Sequence, residues 1–593
     1  MTDTVDVWDL SQLVEFDDPG YVEERLSAAV GAAEEFRDKH RGKVVDYGPE
    51  EVLSLLTEAD EFSLEFEGPF MYSSLAYSAD MTDEVAKHLN DRRRNASMLV
   101  GQAFAFMDLE LGQLMSANPE IVNDPVLSEY RHKLERIRRR IPHMLSEAEE
   151  QLVILKDKNG VSAWSQLQSD WLATRTFEIE IDGETKRMPY GEIIGLYEHP
   201  NREIRKLAYK VVFSGLGEDK LLWATAVRSI SEDHLKMSKV RDWPDPMTQS
   251  LISNDVDEAT ITALMTTIEN NVEAFRKYLK LKAKALGLEK LGNWDEVAPL
   301  PFSSDRKYSW TDSRNIIVQA YTEFNEESGK WMDEMYERRH IDGEVRSGKT
   351  SGAFCSTWHS GKSAYILQSF NGVLGDVYTQ AHELGHALHA YLGTRAQNPS
   401  NYEIGSCVAE TGSIFGELLL TEKLLAHAGT REEKLVVLAT ILDQFGQAAF
   451  QVSARVFFET SIYEQMEKGK FLDGEKLSDL WIEARDRVYG DAIEWMSEMR
   501  YWWTMKLHFY IPNYRYYNYP YVYAQLFVYA MYRLYKEQGQ EFVPKLKKLL
   551  AAGSSKSPRE LAAEMGFDVT TTEFWQKGID QFSEFIEMFQ MAL

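Results

Sequence analysis

Hydrophobic residues recur at intervals of three and four along most of the chain, a pattern that predicts a mainly helical protein. Six stretches carry this pattern between runs of charged residues. They are residues 21–39, 49–66, 82–117, 125–156, 201–240 and 257–286. Because the period persists along the chain, we expect helices to build the core and strands to be few and short.

Two segments break the helical period and predict strands. Residues 177–181 alternate apolar and acidic side chains, and the following Asp182-Gly183 pair predicts a two-residue hairpin turn. Residues 364–370 form an uncharged run close to turn glycines, which predicts a second strand. Asp376 then opens the next helix, where an acidic side chain offsets unpaired backbone amides.

The chain is long enough for several domains. At roughly 150 residues per domain the length allows up to about four. We assign residues 1–200 to an N-terminal helical region and residues 201–593 to a catalytic helical region. A loop-rich stretch at residues 292–301 is a further candidate boundary.

The charge of the chain narrows the range of partners. Its 65 basic and 94 acidic residues give a formal charge of −29, which repels nucleic-acid phosphates and anionic membrane surfaces. We therefore expect neither a nucleic-acid partner nor a membrane partner. The uncharged aromatic stretch 516–532 is shorter than the roughly 20 apolar residues of a membrane span, and we expect it inside the protein.

Cysteine usage and the N-terminal segment both favour a cytoplasmic location. The chain has two cysteines, Cys355 and Cys407, too few for a disulfide scaffold or a thiolate zinc site. Its acidic N-terminal segment lacks the basic and apolar regions of a signal peptide.

The segment from His382 to His386 carries the clearest chemistry in the sequence. It has the form His-Glu-x-x-His, which on a helix projects both imidazoles from one face toward one metal ion. Glu383 can reach a metal-bound water and is the candidate general base. His389 lies about 10 Å along the helix axis from His382, so we expect it to lie behind the metal ligands or to serve in packing rather than to bind the metal. We predict one zinc ion per chain, although the same ligands accept cobalt or manganese.

A third metal ligand is expected on a neighbouring helix. Residues 403–427 have a helical pattern in which Glu403, Glu410 and Glu417 recur every seven residues and share a face. Glu410 lies among apolar residues, and a buried carboxylate needs a partner such as a metal ion. The alternative is that these glutamates form a solvated face. The predicted zinc ligands are His382, His386 and Glu410, on helices at residues 376–392 and 403–427.

These motifs resemble the signature of oligoendopeptidase F, a family of thimet-oligopeptidase-like zinc peptidases (gluzincins). The resemblance covers His-Glu-Leu-Gly-His-Ala-Leu-His at residues 382–389, the preceding Asp376-Val377, and Glu410 followed by Ser413 and Glu417. Residues 352–355 and 364–367 are similar to the family's glycine-rich loop and substrate-side edge strand. The resemblance implies a mainly α, two-lobed fold that encloses a deep channel, with a small β element near the active site.

The resemblance also implies a histidine and tyrosines that face the scissile carbonyl. The tyrosine-rich segment 508–523 supplies His508, Tyr516 and Tyr519 as candidate catalytic residues. A neutral hydroxyl or imidazole can donate a hydrogen bond to the oxyanion that develops there. Tyr516 and Tyr519 would share a face of a helix, but Pro520 disturbs the register, so which tyrosines face the site stays open.

The predicted function is a zinc-dependent endopeptidase that hydrolyses internal bonds of short oligopeptides in a channel that excludes folded proteins. A strand at residues 365–367 is expected to pair with the peptide backbone. Two alternatives remain: a zinc carboxypeptidase or dipeptidase on a similar helical fold, and a peptide-binding protein without activity. The oligomeric state is left open by the sequence.

Overall fold

The computed structural model of the protein describes residues 4–302 and 306–593, and packing divides the chain into two compact units. Unit 1 comprises Met1–Ile141, Asp305–Ala426 and Leu534–Phe567, and unit 2 comprises Pro142–Ser304, His427–Arg533 and Asp568–Leu593. Each unit therefore gathers three separate stretches of chain. The boundary at residue 200 stays a prediction, because it divides the chain by function and these units divide it by packing.

Helices make up most of unit 1, and aspartates cap several of them. The side chain of Asp18 accepts a hydrogen bond from the Tyr21 amide, and that of Asp83 accepts one from the Ala86 amide, which fixes two helix starts. The helices of unit 1 are Pro19–His40, Pro49–Ala79, Glu84–Phe104, Phe106–Ala117, Arg131–Arg140, Trp310–Phe324, Glu326–Glu337, Leu374–Ala396, Pro399–Tyr402, Ser406–Ala409, Thr411–His427, Val543–Ala551 and Pro558–Glu564.

Unit 2 is also helical, and its core is rich in stacked aromatic rings. Phe445 and Phe582, for example, stack with ring centroids 4.2 Å apart. Its α-helices are Glu147–Asn159, Val161–Thr174, Tyr190–Ile193, Arg202–Glu218, Lys220–Val240, Thr248–Ser253, Glu258–Asn270, Val272–Ala285, Arg431–Phe445, Val452–Glu467, Gly474–Tyr489 and Thr572–Ala592. Gly446–Gln451 is a π-helical turn, and helix Tyr519–Gln538 begins in unit 2 and ends in unit 1.

Short 3₁₀ turns connect these helices. They lie at Leu10–Leu13, Val44–Asp46, Pro119–Asn123, Pro125–Leu127, Ile141–His143, Ile194–Glu198, Asn293–Asp295, Ser497–Thr504, Leu507–Tyr510 and Gly539–Glu541.

The prediction of a mainly helical fold is confirmed, but several predicted helices are broken in two. The stretch 201–240 divides at Asp219, and 257–286 divides at Asn271, whose backbone leaves the helical region. Within 125–156, Pro142 lies between two helices and cannot donate a backbone hydrogen bond. The spacing of hydrophobic residues does not reveal such breaks, because the helices on the two sides of each break bury the same kind of apolar stripe.

The predicted hairpin is present in unit 2. Strand Thr176–Ile181 pairs antiparallel with strand Glu184–Pro189, and Ile181 lies opposite Glu184. The two turn residues, Asp182 and Gly183, have φ angles of 56° and 81°. Both values lie in the left-handed region, which a tight turn between two strands requires. The Asp-Gly pair therefore identified this turn from sequence alone.

A three-stranded sheet in unit 1 corrects the prediction of the edge strand. Strand Ser363–Leu367 is central, parallel to Ile341–Asp342 on one side and antiparallel to Phe354–Trp358 on the other. It is fully buried, and the Ile366 amide donates to the carbonyl of His340. Residues 365–367 thus cannot pair with a peptide. The outer strands of the sheet are Ile341–Asp342 and Phe354–Trp358, and we call the second of these the edge strand.

Two apolar helical runs lie within the packed protein. The aromatic stretch predicted to be interior forms much of helix Tyr519–Gln538, and residues 522–532 are buried, which confirms that prediction. A second run, Arg431–Glu467, is long and apolar enough to cross a membrane, but 61% of its most apolar window is buried inside the protein. This burial is typical of a core helix.

Candidate metal centre and active site

The helix Leu374–Ala396, which we call the ligand helix, brings the two predicted histidine ligands to one face. The rings of His382 and His386 have centroids 4.9 Å apart. Oε2 of Glu410 lies 3.3 Å from Nε2 of each histidine. Within residues 4–302 and 306–593, these three side chains form the cluster suited to a metal ion.

The spacing of these three atoms fits a zinc ion. A tetrahedral zinc with bonds of about 2.1 Å separates its ligand atoms by roughly 3.4 Å. The 3.3 Å distances from Glu410 to both histidines match that separation. Two imidazoles and one carboxylate also leave a fourth position for water, which is the composition of a catalytic zinc site.

Two glycines allow the metal ligands to meet. A Cβ atom on Gly385 of the ligand helix would lie 2.2 Å from the carbonyl oxygen of Gly412. A Cβ atom on Gly412 would lie 2.3 Å from the carbonyl oxygen of Gly385. A larger residue at either position would force the backbones apart. The two glycines therefore allow the ligand helix and helix Thr411–His427 to approach closely. Glu410, immediately before the second helix, is thereby carried to the histidines.

The predicted second ligand helix is shorter than expected. It begins at Thr411, and the chain before it leaves helical structure around Glu403. The Glu403 side chain is 79% exposed and lies 4.0 Å from Arg136, so it does not share a face with Glu410. The prediction that helix 403–427 places three glutamates on one face is therefore wrong for its first member.

Two further side chains hold the ligands in place. Nδ1 of His382 donates a hydrogen bond to Oε1 of Glu417 at 2.6 Å, which leaves the lone pair of Nε2 for a metal. The hydroxyl of Ser413 donates to Oε2 of Glu410 at 2.6 Å. The sequence singled out Glu417 and Ser413 only as part of a motif, and their contacts give both a positioning role.

Removing the Glu417 carboxylate is expected to weaken zinc binding. The variant Glu417→Ala should lower zinc affinity by about 10- to 100-fold, because His382 loses the partner that orients its ring. Competition with a chromophoric chelator measures this affinity. Glu422→Ala, on the exposed side of the same helix, is the matched control and should leave it unchanged. Equal affinities for both variants would contradict the positioning role.

Glu383 is a buried carboxyl beside the metal cluster. Its residue is 6% exposed, and burial raises the pKa of its carboxyl, while His382 and His386 act to lower that pKa. A raised pKa brings a carboxyl closer to neutral pH, where it can both take and return a proton. The position and environment of Glu383 suit the role of general base.

A cleft of about 380 Å³ opens over the metal cluster. One wall is the edge strand, with Phe354, Cys355 and Thr357, and another is the ligand helix. Burial raises the pKa of the Cys355 thiol, as does the nearby Glu383, so the thiol is neutral. Tyr402 completes the wall, with its hydroxyl 2.8 Å from Oγ1 of Thr357. The sequence did not identify Tyr402 as part of the site, and it placed Phe354 and Cys355 in a glycine-rich loop rather than in a strand.

Two other histidines near the cleft have structural contacts. His389 is buried against the backbone of Ala409, and burial lowers its pKa to about 3. Nε2 of His359 lies 3.0 Å from the carbonyl oxygen of Gln397. His389 is buried, lines the cleft and lies outside the three-residue metal cluster, which agrees with the expectation that it is not a ligand.

In unit 2, His508 lies in the short turn Leu507–Tyr510 among aromatic rings. Burial lowers its pKa to about 4, so the imidazole is neutral at pH 7. Nδ1 lies 3.0 Å from Oδ1 of Asn518, and the ring packs against those of Tyr517 and Tyr521 at centroid distances of 4.5 and 5.9 Å. Since Nδ1 is engaged by Asn518, Nε2 is the ring nitrogen left for another group.

The structure does not place Tyr516 and Tyr519 beside His508. Tyr516 is 4% exposed, has a left-handed φ of 54° and stacks on Tyr463. Tyr519 is fully buried, and its hydroxyl accepts hydrogen bonds from Ser250 and Asn254. The segment before residue 519 is not helical, so the face that was predicted to hold both tyrosines does not form.

A different set of tyrosines is accessible near His508. Tyr514, Tyr517 and Tyr521 are partly exposed, and the ring of Tyr517 contacts the other two at 4.9 and 5.9 Å. We call these three residues and His508 the aromatic cluster. The sequence could not separate them from their buried neighbours, because seven of the sixteen residues 508–523 are tyrosines.

Comparison with known proteins shows a match over most of the chain. Residues 196–581 match the description of peptidase family M3, and residues 119–177 match that of oligopeptidase F. Oligopeptidase PepF of Bacillus subtilis is 26% identical over 563 residues, which cover 94% of this chain and 83% of that protein. An oligoendopeptidase F homolog of Lactococcus lactis is 26% identical over 600 residues, 97% of this chain and 95% of that protein.

A solved structure shows the same fold. The crystal structure of oligoendopeptidase F from Enterococcus faecium superposes with a TM-score of 0.69 over 96% of this chain and 98% of that chain, at 22% sequence identity. The helical architecture is therefore shared although most side chains differ.

Proposed function

This chain belongs to peptidase family M3 and is a peptidase, as its motifs predicted, and we propose that it is a zinc-dependent endopeptidase acting on short oligopeptides. The observation that carries the proposal is the pair of 3.3 Å distances that join Glu410 to His382 and His386. This arrangement, next to the buried carboxyl of Glu383, supports hydrolysis by a metal-activated water.

In the proposed mechanism, residues of unit 1 hold the metal ion and transfer the proton of the attacking water. His382, His386 and Glu410 would hold the zinc ion. Zinc, when bound, supplies a Lewis acid and lowers the pKa of a water molecule to near neutral. Glu383 takes a proton from the attacking water and returns it to the amine that leaves. Burial raises the pKa of the Glu383 carboxyl. It thereby favours the protonated carboxyl that exists after the proton is taken up and before it is returned.

We propose that the edge strand positions the peptide. A strand at the end of a sheet presents backbone groups on its outer side, and an extended peptide can pair with them. The edge strand Phe354–Trp358 also lines the cleft that contains Glu383. Because backbone hydrogen bonds do not depend on side-chain identity, this mode of binding suits an enzyme that accepts many peptide sequences.

The aromatic cluster is our candidate for stabilising the oxyanion. Neutral tyrosine hydroxyls donate hydrogen bonds well to a developing negative charge. The accessible Tyr514, Tyr517 and Tyr521 replace Tyr516 and Tyr519 as the proposed donors. His508, whose neutral ring donates from Nδ1 to Oδ1 of Asn518, packs against Tyr517 and Tyr521 and would position them.

Cleavage of a blocked peptide tests the proposal. The substrate is an internally quenched peptide of about nine residues, blocked at both ends, incubated with and without a zinc chelator. We expect internal cleavage that the chelator stops and that added zinc restores. Trimming of the unblocked peptide alone would instead support the carboxypeptidase or dipeptidase alternative. No cleavage of either peptide by the zinc-loaded protein would contradict the proposed function.

The cellular context is proposed from charge and cysteine content. A formal charge of −29 and two cysteines favour a cytoplasmic protein with no nucleic-acid or membrane partner.

A further inference from the structure

Part of the wall of the metal cleft is a single aromatic ring. Tyr402 is partly exposed and lines the same cleft of about 380 Å³ as the three residues of the metal cluster. Its hydroxyl lies 2.8 Å from Oγ1 of Thr357 on the edge strand. The ring therefore reaches from the chain segment before Glu410 to the edge strand, and it limits the cleft on that side.

Three contacts fix the position of this ring. A Cβ atom on Gly393 of the ligand helix would lie 2.7 Å from Cε2 of Tyr402, so the ring rests directly on the backbone of that helix. His359 packs edge-on against the ring, with centroids 5.4 Å apart and planes at 83°. The hydroxyl of Thr357 holds the far end of the side chain. The ring cannot move aside for an incoming group without losing these contacts.

The cleft surface beside this ring is uncharged. Cys355 and Thr357 lie two residues apart on the edge strand, so their side chains share one face, and Ile404 lines the cleft from the opposite segment. The hydroxyls of Thr357 and Tyr402 form a hydrogen bond with each other. Of the described residues that line the cleft, those with a carboxylate are Glu383 and Glu410, which belong to the proposed chemistry. This surface therefore suits an apolar group rather than an ion.

We propose that this surface binds the side chain of one substrate residue next to the scissile bond, and that Tyr402 limits the size of that side chain. This inference rests on the proposed peptidase function and specifies its substrate. A peptide paired with the edge strand directs alternate side chains toward the face that carries Cys355 and Thr357. The cleft of about 380 Å³ also holds the metal centre and the scissile bond, so an aliphatic side chain such as leucine fits and an aromatic ring collides with Tyr402.

Matched peptides measure this size limit. Each pair shares one blocked, internally quenched nonapeptide sequence and differs in Leu or Phe at one of the two positions that flank the cleaved bond. We expect kcat/KM to be about 10-fold higher for the Leu peptide at one of these positions, because the larger ring does not fit. Mass spectrometry of the products confirms that both peptides are cut at the same bond. A Leu-to-Phe ratio near one at both positions would overturn the proposal.

Variants connect the preference to Tyr402. In Tyr402→Ala the Leu-to-Phe ratio at the selective position should fall from about 10 to about 1 or less, because the space of the ring becomes available. Tyr402→Phe keeps the ring and loses the hydroxyl, so this matched control should keep the wild-type ratio. Ile404→Ala widens the same surface from a partly exposed position and should also lower the ratio. An unchanged ratio in Tyr402→Ala, with both peptides cleaved equally more slowly, would show a purely structural role and overturn the proposal.

Binding measurements keep this test separate from the test of catalysis. Fluorescence anisotropy of labelled Leu and Phe peptides with zinc-loaded Glu383→Gln protein gives the ratio of their Kd values without cleavage. Tighter binding of the Leu peptide, lost when Tyr402→Ala is added to that variant, would support the size limit even if the wild-type protein cleaves neither peptide. Equal binding of both peptides would reject it. Thermal unfolding identifies a misfolded Tyr402→Ala protein, in which case the ratio in Ile404→Ala decides.

Discussion

Replacing Glu383 with glutamine is expected to lower kcat/KM for a blocked nonapeptide by about 10²- to 10⁴-fold while zinc stays bound. Glutamine has the same shape as glutamate, but its amide cannot accept the proton of the attacking water. Glu383 lies outside the three-residue metal cluster, so its loss leaves His382, His386 and Glu410 in place. The expected result is an inactive protein with normal metal content.

Kinetics and metal analysis of the same sample check this expectation. Zinc content per chain should equal that of the wild-type protein, and the loss should appear in kcat. Glu403→Gln, at an exposed acid of the same unit, is the matched control and should keep wild-type activity. If Glu383→Gln retained more than about a tenth of the wild-type rate, another group would have to act as the base.

Replacing Glu459 with glutamine is expected to destabilise unit 2 by about 3–5 kcal/mol. Glu459 and Arg515 form an ion pair at 3.0 Å, and both side chains are 1% exposed. Without the carboxylate, the guanidinium of Arg515 would remain buried with an uncompensated charge. Oε1 of Glu459 also accepts a hydrogen bond from the backbone amide of Tyr516 at 2.9 Å. This bond helps to hold Tyr516 at its left-handed φ.

Denaturant unfolding, followed by tryptophan fluorescence, measures the loss of stability. Glu464→Gln lies on the same helix with a 58% exposed side chain, and this control should change stability by no more than about 0.5 kcal/mol. The Glu459 variant should also alter cleavage, because Glu459 faces Asn518 and Asn518 contacts His508. Stability equal to that of the control would show that this ion pair contributes little to the fold.

The sequence predicted those parts of the site that depend on local geometry. His382 and His386 lie four residues apart on one helix, so their common face follows from the helical period alone. Glu410 was found because its sequence surroundings are apolar and a buried carboxylate needs a partner. The Asp182-Gly183 hairpin belongs to the same class, since its turn is fixed by the two residues themselves.

The predictions that failed depended on contacts between distant parts of the chain. Residues 365–367 are central in their sheet because Ile341–Asp342 pairs on their second side, a contact that periodicity does not reveal. Glu403 keeps the seven-residue spacing although the helix that would use it is interrupted. Tyr516 is turned inward by Glu459, which lies 57 residues earlier in the chain.

The interleaved segments of the two units set an order of events during synthesis on the ribosome. The ligand helix packs against helix Val543–Ala551, where the side chain of Gln397 donates to the carbonyl of Ala551 at 3.0 Å. That supporting helix is translated roughly 150 residues later, a delay of about 7–30 s at 5–20 residues per second. Until that helix is made, the apolar surface of the ligand helix that it covers stays exposed. Chaperones would have to shield this surface during the interval.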